Sequence, residues 1–132
     1  MKTVITYGTF DLFHVGHLRM LERAKALTEG GTLIVAVSTD EFNQAEKKKQ
    51  AVIPYAARSE IVRALRCVDK VIPETSWEQK VTDIQKYGID VFVIGEDWKG
   101  KFDFLTPHCH VHYLSRTPEI STTDIKITIA KG

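Results

Sequence analysis

Cysteine is scarce in this chain: two in 132 residues, Cys67 and Cys109. That is too few for a disulfide framework, so a reduced, cytoplasmic protein is the expectation. Charge of one sign is lacking as well. Lys and Arg number 18 against 17 Asp and Glu, a net +1, which gives no electrostatic case for a nucleic-acid or membrane surface. No apolar run approaches the ~20 residues of a membrane helix. No basic start leads into an apolar core, so a signal peptide is not expected. Internal repeats and low-complexity tracts are missing. So are both familiar phosphate-binding glycine patterns, G-x-x-x-x-G-K-S/T and G-x-G-x-x-G.

What is present reads as a soluble globular protein, 43% apolar and 27% charged, long enough for one domain over 1–132 with a real core. Apolar and β-branched runs alternate with helix-spaced ones. Strands are expected over 2–7, 32–38, 70–73, 90–94 and 110–114, the third stopped by Pro73. Helices are expected over 15–28, 55–65, 76–87 (capped by Ser76, with Gly88 past its end) and 124–130. A loop carrying Lys47, Lys48 and Lys49 runs up to Pro54. This alternation predicts an α/β fold, a doubly wound parallel sheet. Ligands bind such sheets at the carboxyl ends of the strands. The turns there hold the chemistry-bearing residues: Gly8 to His17, Asp40 with the lysines, Glu96-Asp97-Trp98, and Arg116 to Thr123.

The first of these turns is the most informative. Thr3-Val4-Ile5-Thr6 leads into Tyr7-Gly8-Thr9-Phe10-Asp11-Leu12-Phe13-His14-Val15-Gly16-His17, followed by helix-spaced Leu18, Leu21, Ala24 and Leu27. A strand turning into a helix N-terminus is an anion site, because unpaired N–H groups and the helix dipole face the turn. Gly8 permits a tight turn, Gly16 leaves room for a phosphate between the histidines, and Thr9 offers a hydroxyl. His14 and His17, three residues apart, offer N–H donors to oxygens whose charge rises during reaction.

Gly8-Thr9-Phe10-Asp11 with His14-Val15-Gly16-His17, and Ile120-Ser121-Thr122-Thr123 near the C-terminus, resemble the cytidylyltransferase family of HxGH nucleotidyltransferases. The resemblance runs almost end to end, through 38–43, 71–74, 77–80, 90–93, 97–98 and 100–105. It implies a three-layer, Rossmann-like fold of the HxGH nucleotidyltransferase type. It also implies cytidylyl transfer from CTP to sn-glycerol 3-phosphate, giving CDP-glycerol and pyrophosphate by direct attack on the α-phosphorus. In that reading His14, His17, Lys47 and Arg116 are catalytic, the histidines holding the triphosphate and stabilising the leaving pyrophosphate. Lys47 and Lys49 neutralise phosphate oxygens, and the choice of Lys47 over Lys48 stays open. Gly8, Thr9, Phe10, Asp11, Gly16, Asp40, Arg66, Asp97, Ser121, Thr122 and Thr123 belong to nucleotide binding, and Trp77 to the acceptor side. Mg²⁺ rides on the phosphates without side-chain ligands, and the protein is a homodimer. One departure stands out. The family reads Arg-Thr-Glu-Gly-Ile-Ser-Thr-Thr where this chain has Arg116-Thr117-Pro118-Glu119-Ile120-Ser121-Thr122-Thr123, which puts nucleotide affinity or loop geometry in question.

Other readings stand beside this one. The acceptor could be another phosphorylated alcohol or sugar, the nucleotide could be ATP, or Pro118-Glu119 could mark a non-catalytic nucleotide sensor. The two histidines could ligate zinc, although only Asp11 is near enough to join them. His108, His110 and His112 share a face if all three are in a strand, but neighbours there are about 7 Å apart, far for one ion. An exposed edge strand accounts for them better.

Overall fold

The structure, a computed structural model, describes residues 1–115. Five strands, β1 (Thr3–Gly8), β2 (Thr32–Ser38), β3 (Lys70–Glu74), β4 (Val91–Gly95) and β5 (His110–Leu114), form one sheet in the order β3-β2-β1-β4-β5. Every neighbouring pair is parallel. Successive side chains point to opposite faces, so each buried strand feeds two cores. Val4, Leu33, Val35, Val37, Val91 and Val93 face α1 (Val15–Ala26) and α3 (Tyr55–Arg63), meeting Leu21, Ala24 and Val62. Ile5, Tyr7, Ile34, Ala36, Phe92 and Ile94 face the other way, with Ile84 of α4 (Gln79–Tyr87), Phe102 and Leu105. The result is three layers, with the sheet between helices. The chain order reverses between β1 and β4, which opens a crevice at their carboxyl ends.

The elements depart from expectation in four places. A short helix, α2 (Asp40–Ala45), precedes the lysine loop, started by Thr39, whose hydroxyl accepts the Phe42 N–H at 3.2 Å. Pro73 does not stop β3; it pairs with Val37 inside the strand. An edge strand tolerates proline because one row of its N–H groups faces no neighbour. Ser76 does not cap α4, which starts at Gln79. The Gln79 amide oxygen instead accepts the N–H groups of Thr75 and Ser76, closing the turn ahead of the helix. His108 sits in a turn before β5, so only His110 and His112 share that strand's face, with ring centroids 6.0 Å apart. Gly88 ends α4 as expected, at φ 62. The helix expected over 124–130 lies outside the described residues. Among those described, no helix is long and apolar enough to cross a membrane.

Candidate active site

The turn after β1 is held in an unusual backbone. Phe10 and Leu12 take left-handed conformations, φ 55 and 47, each at a cost of order 1 kcal/mol for a non-glycine residue. The strain thus falls on Phe10 and Leu12, whereas Gly8 is not at positive φ. A Cβ at Gly8 would lie 2.9 Å from the Phe10 ring. Gly8 is there so that this ring can fold back into the core, where it meets Phe13 and the edge of His17.

Two residues later α1 begins, and its histidines form a reciprocal cap. The His14 Nδ1 accepts the Gly16 N–H at 3.0 Å, and the His17 Nδ1 accepts the His14 N–H at 3.2 Å. The rings stack at 4.0 Å. With both Nδ1 atoms accepting, the proton of each neutral imidazole sits on Nε2. Burial lowers the His14 pKa, and burial followed by the neighbouring His14 lowers that of His17 to about 4, against a small opposing pull from Asp11. The pair is therefore neutral at pH 7 and donates through Nε2–H. The Gly16 amide is engaged by His14.

Asp11 is buried, and its carboxylate accepts the N–H groups of Val52 and Ile53 at 2.8 and 2.9 Å. It moors the far end of the lysine loop to the histidine turn. Arg58 of α3, fully buried, finishes the job. Its guanidinium donates to the carbonyls of Thr9, Ser38 and Ile53 and to Asp40, all within 2.8 Å. Asp40 also accepts the Tyr55 N–H, which is the main reason its carboxyl titrates low, with Arg58 adding to it.

A cleft of about 280 Å³ opens between these turns. Gly8, Thr9, Phe10, Asp11 and His17 line one side, and Lys47, Lys49 and Trp77 the other. Lys47 and Lys49 both line it, and Lys48, at φ 55, does not. The floor holds a buried ionic cluster. Lys47 Nζ donates to Ser38 Oγ at 2.9 Å and lies 3.4 Å from Glu74 Oε1. Lys80 Nζ meets Glu74 Oε2 at 3.1 Å and sits over the rings of Tyr7, Trp77 and Phe102 at 4.6 to 5.4 Å. Burial lowers the Lys47 pKa, and Glu74 opposes that pull.

The sequence reading missed Arg58, Glu74 and Lys80. Each carried a signal. Arg58 is one helical turn before Val62, Lys80 one turn before Ile84, and Glu74 two residues after Ile72, so each shares a face with a core residue. Some expected residues are elsewhere. Asp97 is exposed in the 3₁₀ turn after β4, on the same rim but outside the cleft lining. Arg66 is exposed between α3 and β3, close to Asp69, which binds the Leu33 N–H at the start of β2. That is the amino end of the sheet, so Arg66 is not brought to this cleft. Arg116, Ser121, Thr122 and Thr123, with Pro118 and Glu119, lie outside the described residues.

This site has known relatives. Glycerol-3-phosphate cytidylyltransferase of Bacillus subtilis (strain 168) is 59% identical over 130 residues, covering 98% of each chain. The Staphylococcus aureus (strain NCTC 8325 / PS 47) protein of the same name is 54% identical over 126 residues, 96% of this chain and 93% of that one. The crystal structure of the lipopolysaccharide core biosynthesis protein from Thermoplasma volcanium GSS1 shares the fold, at TM-score 0.74 and 22% identity, over 89% of this chain and 98% of that one. The strand–turn–helix with its paired histidines, and the lysines facing it, lie within residues 5–127, which match the cytidylyltransferase-like family; the chain belongs to that family.

Proposed function

We propose that this protein transfers the cytidylyl group of CTP to sn-glycerol 3-phosphate, releasing pyrophosphate and forming CDP-glycerol. The observation that carries the reading is the identity above one half, over nearly the whole of both chains, with proteins named for that reaction. The site's chemistry agrees with it. The acceptor phosphate is already an anionic nucleophile at neutral pH, so an in-line attack on the α-phosphorus needs no general base. The protein's work is then positioning and charge stabilisation. His14 and His17 donate through Nε2–H to the oxygens that gain charge as pyrophosphate departs. Lys47 and Lys80 present ammoniums to the acceptor's phosphate, and Lys49 adds charge at the cleft edge. Arg116, Ser121, Thr122 and Thr123 complete the phosphate contacts, as the family signature implies.

Asp11 and Glu74, the carboxylates of the cleft, already accept backbone or lysine hydrogen bonds. Magnesium therefore fits this site as an ion carried on the triphosphate, where it neutralises phosphate charge. The acting unit is a single domain over 1–132, a homodimer working in the cytoplasm. Pyrophosphate release, measured with CTP or ATP against glycerol 3-phosphate, phosphoethanolamine and a sugar phosphate, tests the reading. CTP with glycerol 3-phosphate should be fastest. Faster turnover with ATP or another acceptor overturns the assignment, and nucleotide binding without turnover favours a sensor.

A further inference from the structure

We propose that Glu74 is a positioning residue for the acceptor phosphate, fixing the spacing and direction of the Lys47 and Lys80 ammoniums. This rests on the reading above, that the cleft receives a phosphorylated alcohol. Glu74 is 1% exposed at the end of β3. Oε1 accepts from Ser38 Oγ at 2.5 Å and lies 3.4 Å from Lys47 Nζ, while Oε2 takes Lys80 Nζ at 3.1 Å. One carboxylate therefore splays two cations that would otherwise repel each other in a buried floor. The remaining charge of the trio is +1, suited to an entering phosphate. Every element around the trio contributes a group. Tyr7 and Thr9 come from β1 and its turn, Ser38 from β2, Lys47 and Lys49 from the loop, and Lys80 and Asp83 from α4, with Asp83 accepting the Tyr7 hydroxyl at 2.7 Å. Neither Lys47 nor Lys80 has another carboxylate within ion-pair distance among the described residues. A buried pair that loses one partner leaves the other charge uncompensated.

Steady-state kinetics of wild type, Glu74→Gln and Glu74→Asp over a pH series provide the test. Glu74→Gln keeps the shape and removes the charge. Its KM for glycerol 3-phosphate should rise about tenfold or more while its KM for CTP stays within about threefold. The alkaline limb of kcat/KM for the acceptor should move to lower pH, because Lys47 loses the carboxylate that opposes its burial. Glu74→Asp, which retains the charge, should restore the limb. A merely structural Glu74 predicts equal losses for both substrates and an unmoved limb, and either result overturns the proposal. Should Glu74→Gln fail to melt cooperatively, Ser38→Ala takes its place. It removes a hydrogen bond from both Glu74 and Lys47 and should raise only the acceptor KM, by several-fold; an unchanged acceptor KM overturns the idea. If wild type does not use glycerol 3-phosphate at all, the reading beneath fails, and inorganic phosphate binding followed by tryptophan fluorescence judges Glu74 alone. Weaker phosphate binding by Glu74→Gln than by wild type supports the positioning role, and equal binding ends it.

Discussion

His14 Nδ1 accepts the Gly16 N–H and His17 Nδ1 accepts the His14 N–H, which puts the ring proton of each neutral imidazole on Nε2. Because leaving-group charge peaks in the transition state, His14→Ala or His17→Ala should cut kcat about a hundredfold or more with a smaller effect on CTP affinity. Near wild-type turnover in either variant removes the role. The same burial ties stability to pH. The folded pKa of His17, about 4, lies below its ordinary 6.5, so between those values the unfolded chain binds more protons. Stability from this group is complete above pH 6.5 and declines as pH falls toward 4, by at most about 1.4 kcal/mol per pH unit. His14 acts in the same direction. Melting temperatures from pH 7.5 to 4.5 should fall less steeply for His17→Asn than for wild type; parallel curves exclude His17 as the cause. Arg116, whose part comes from the family signature, should be sensitive to shape as well as charge. Arg116→Lys should fall well short of wild type in CTP binding and turnover, since an ammonium cannot make a bidentate phosphate contact. Full activity in Arg116→Lys reduces it to a diffuse charge.

At the scale of elements, the lysine loop owes its position to anchors far away in sequence. Asp11 holds Val52 and Ile53, Arg58 holds Ile53 and the Thr9 carbonyl, and the Lys49 N–H donates to the Asn43 carbonyl at the end of α2. Asp11→Ala strips three backbone donors, the N–H groups of Leu12, Val52 and Ile53, of their acceptor, each worth about 1–3 kcal/mol when left unmade. Urea unfolding should show a loss of about 2–4 kcal/mol, and kcat should fall as Lys47 and Lys49 lose their setting. An Asp11→Ala protein with native stability and a tenfold loss of CTP affinity would make Asp11 a direct nucleotide contact instead. The helix α2 escaped the sequence reading because six residues hold too few turns to show a period, and Thr39 alone marked its start. Pro73 misled for a related reason: the proline rule depends on whether a strand is central or at an edge, which is a property of the sheet.

For the whole molecule, the parallel sheet gathers every strand's carboxyl end on one rim, so turns scattered from Gly8 to Trp98 share one cleft. The proposed homodimer is checked by sedimentation equilibrium, where a mass near twice 15.0 kDa is expected. A monomer at assay concentrations rejects it. The chain alone determined the strand–helix alternation, the rim on which the chemistry lies, and the histidine turn at its centre. Those follow from local periodicity and from the handedness of parallel crossovers, both written in neighbouring residues. Tertiary structure decided what the charged residues do. Asp11, which also lines the cleft, and Asp40 anchor the loops, Arg66 went to the opposite end of the sheet, and Glu74 and Lys80, silent among ordinary surface charges, became the floor of the cleft. A charge's role depends on what surrounds it after burial, and its neighbours there come from distant segments. Glu74 meets Ser38 and Lys47 across 36 and 27 residues of chain, a separation over which no sequence period runs.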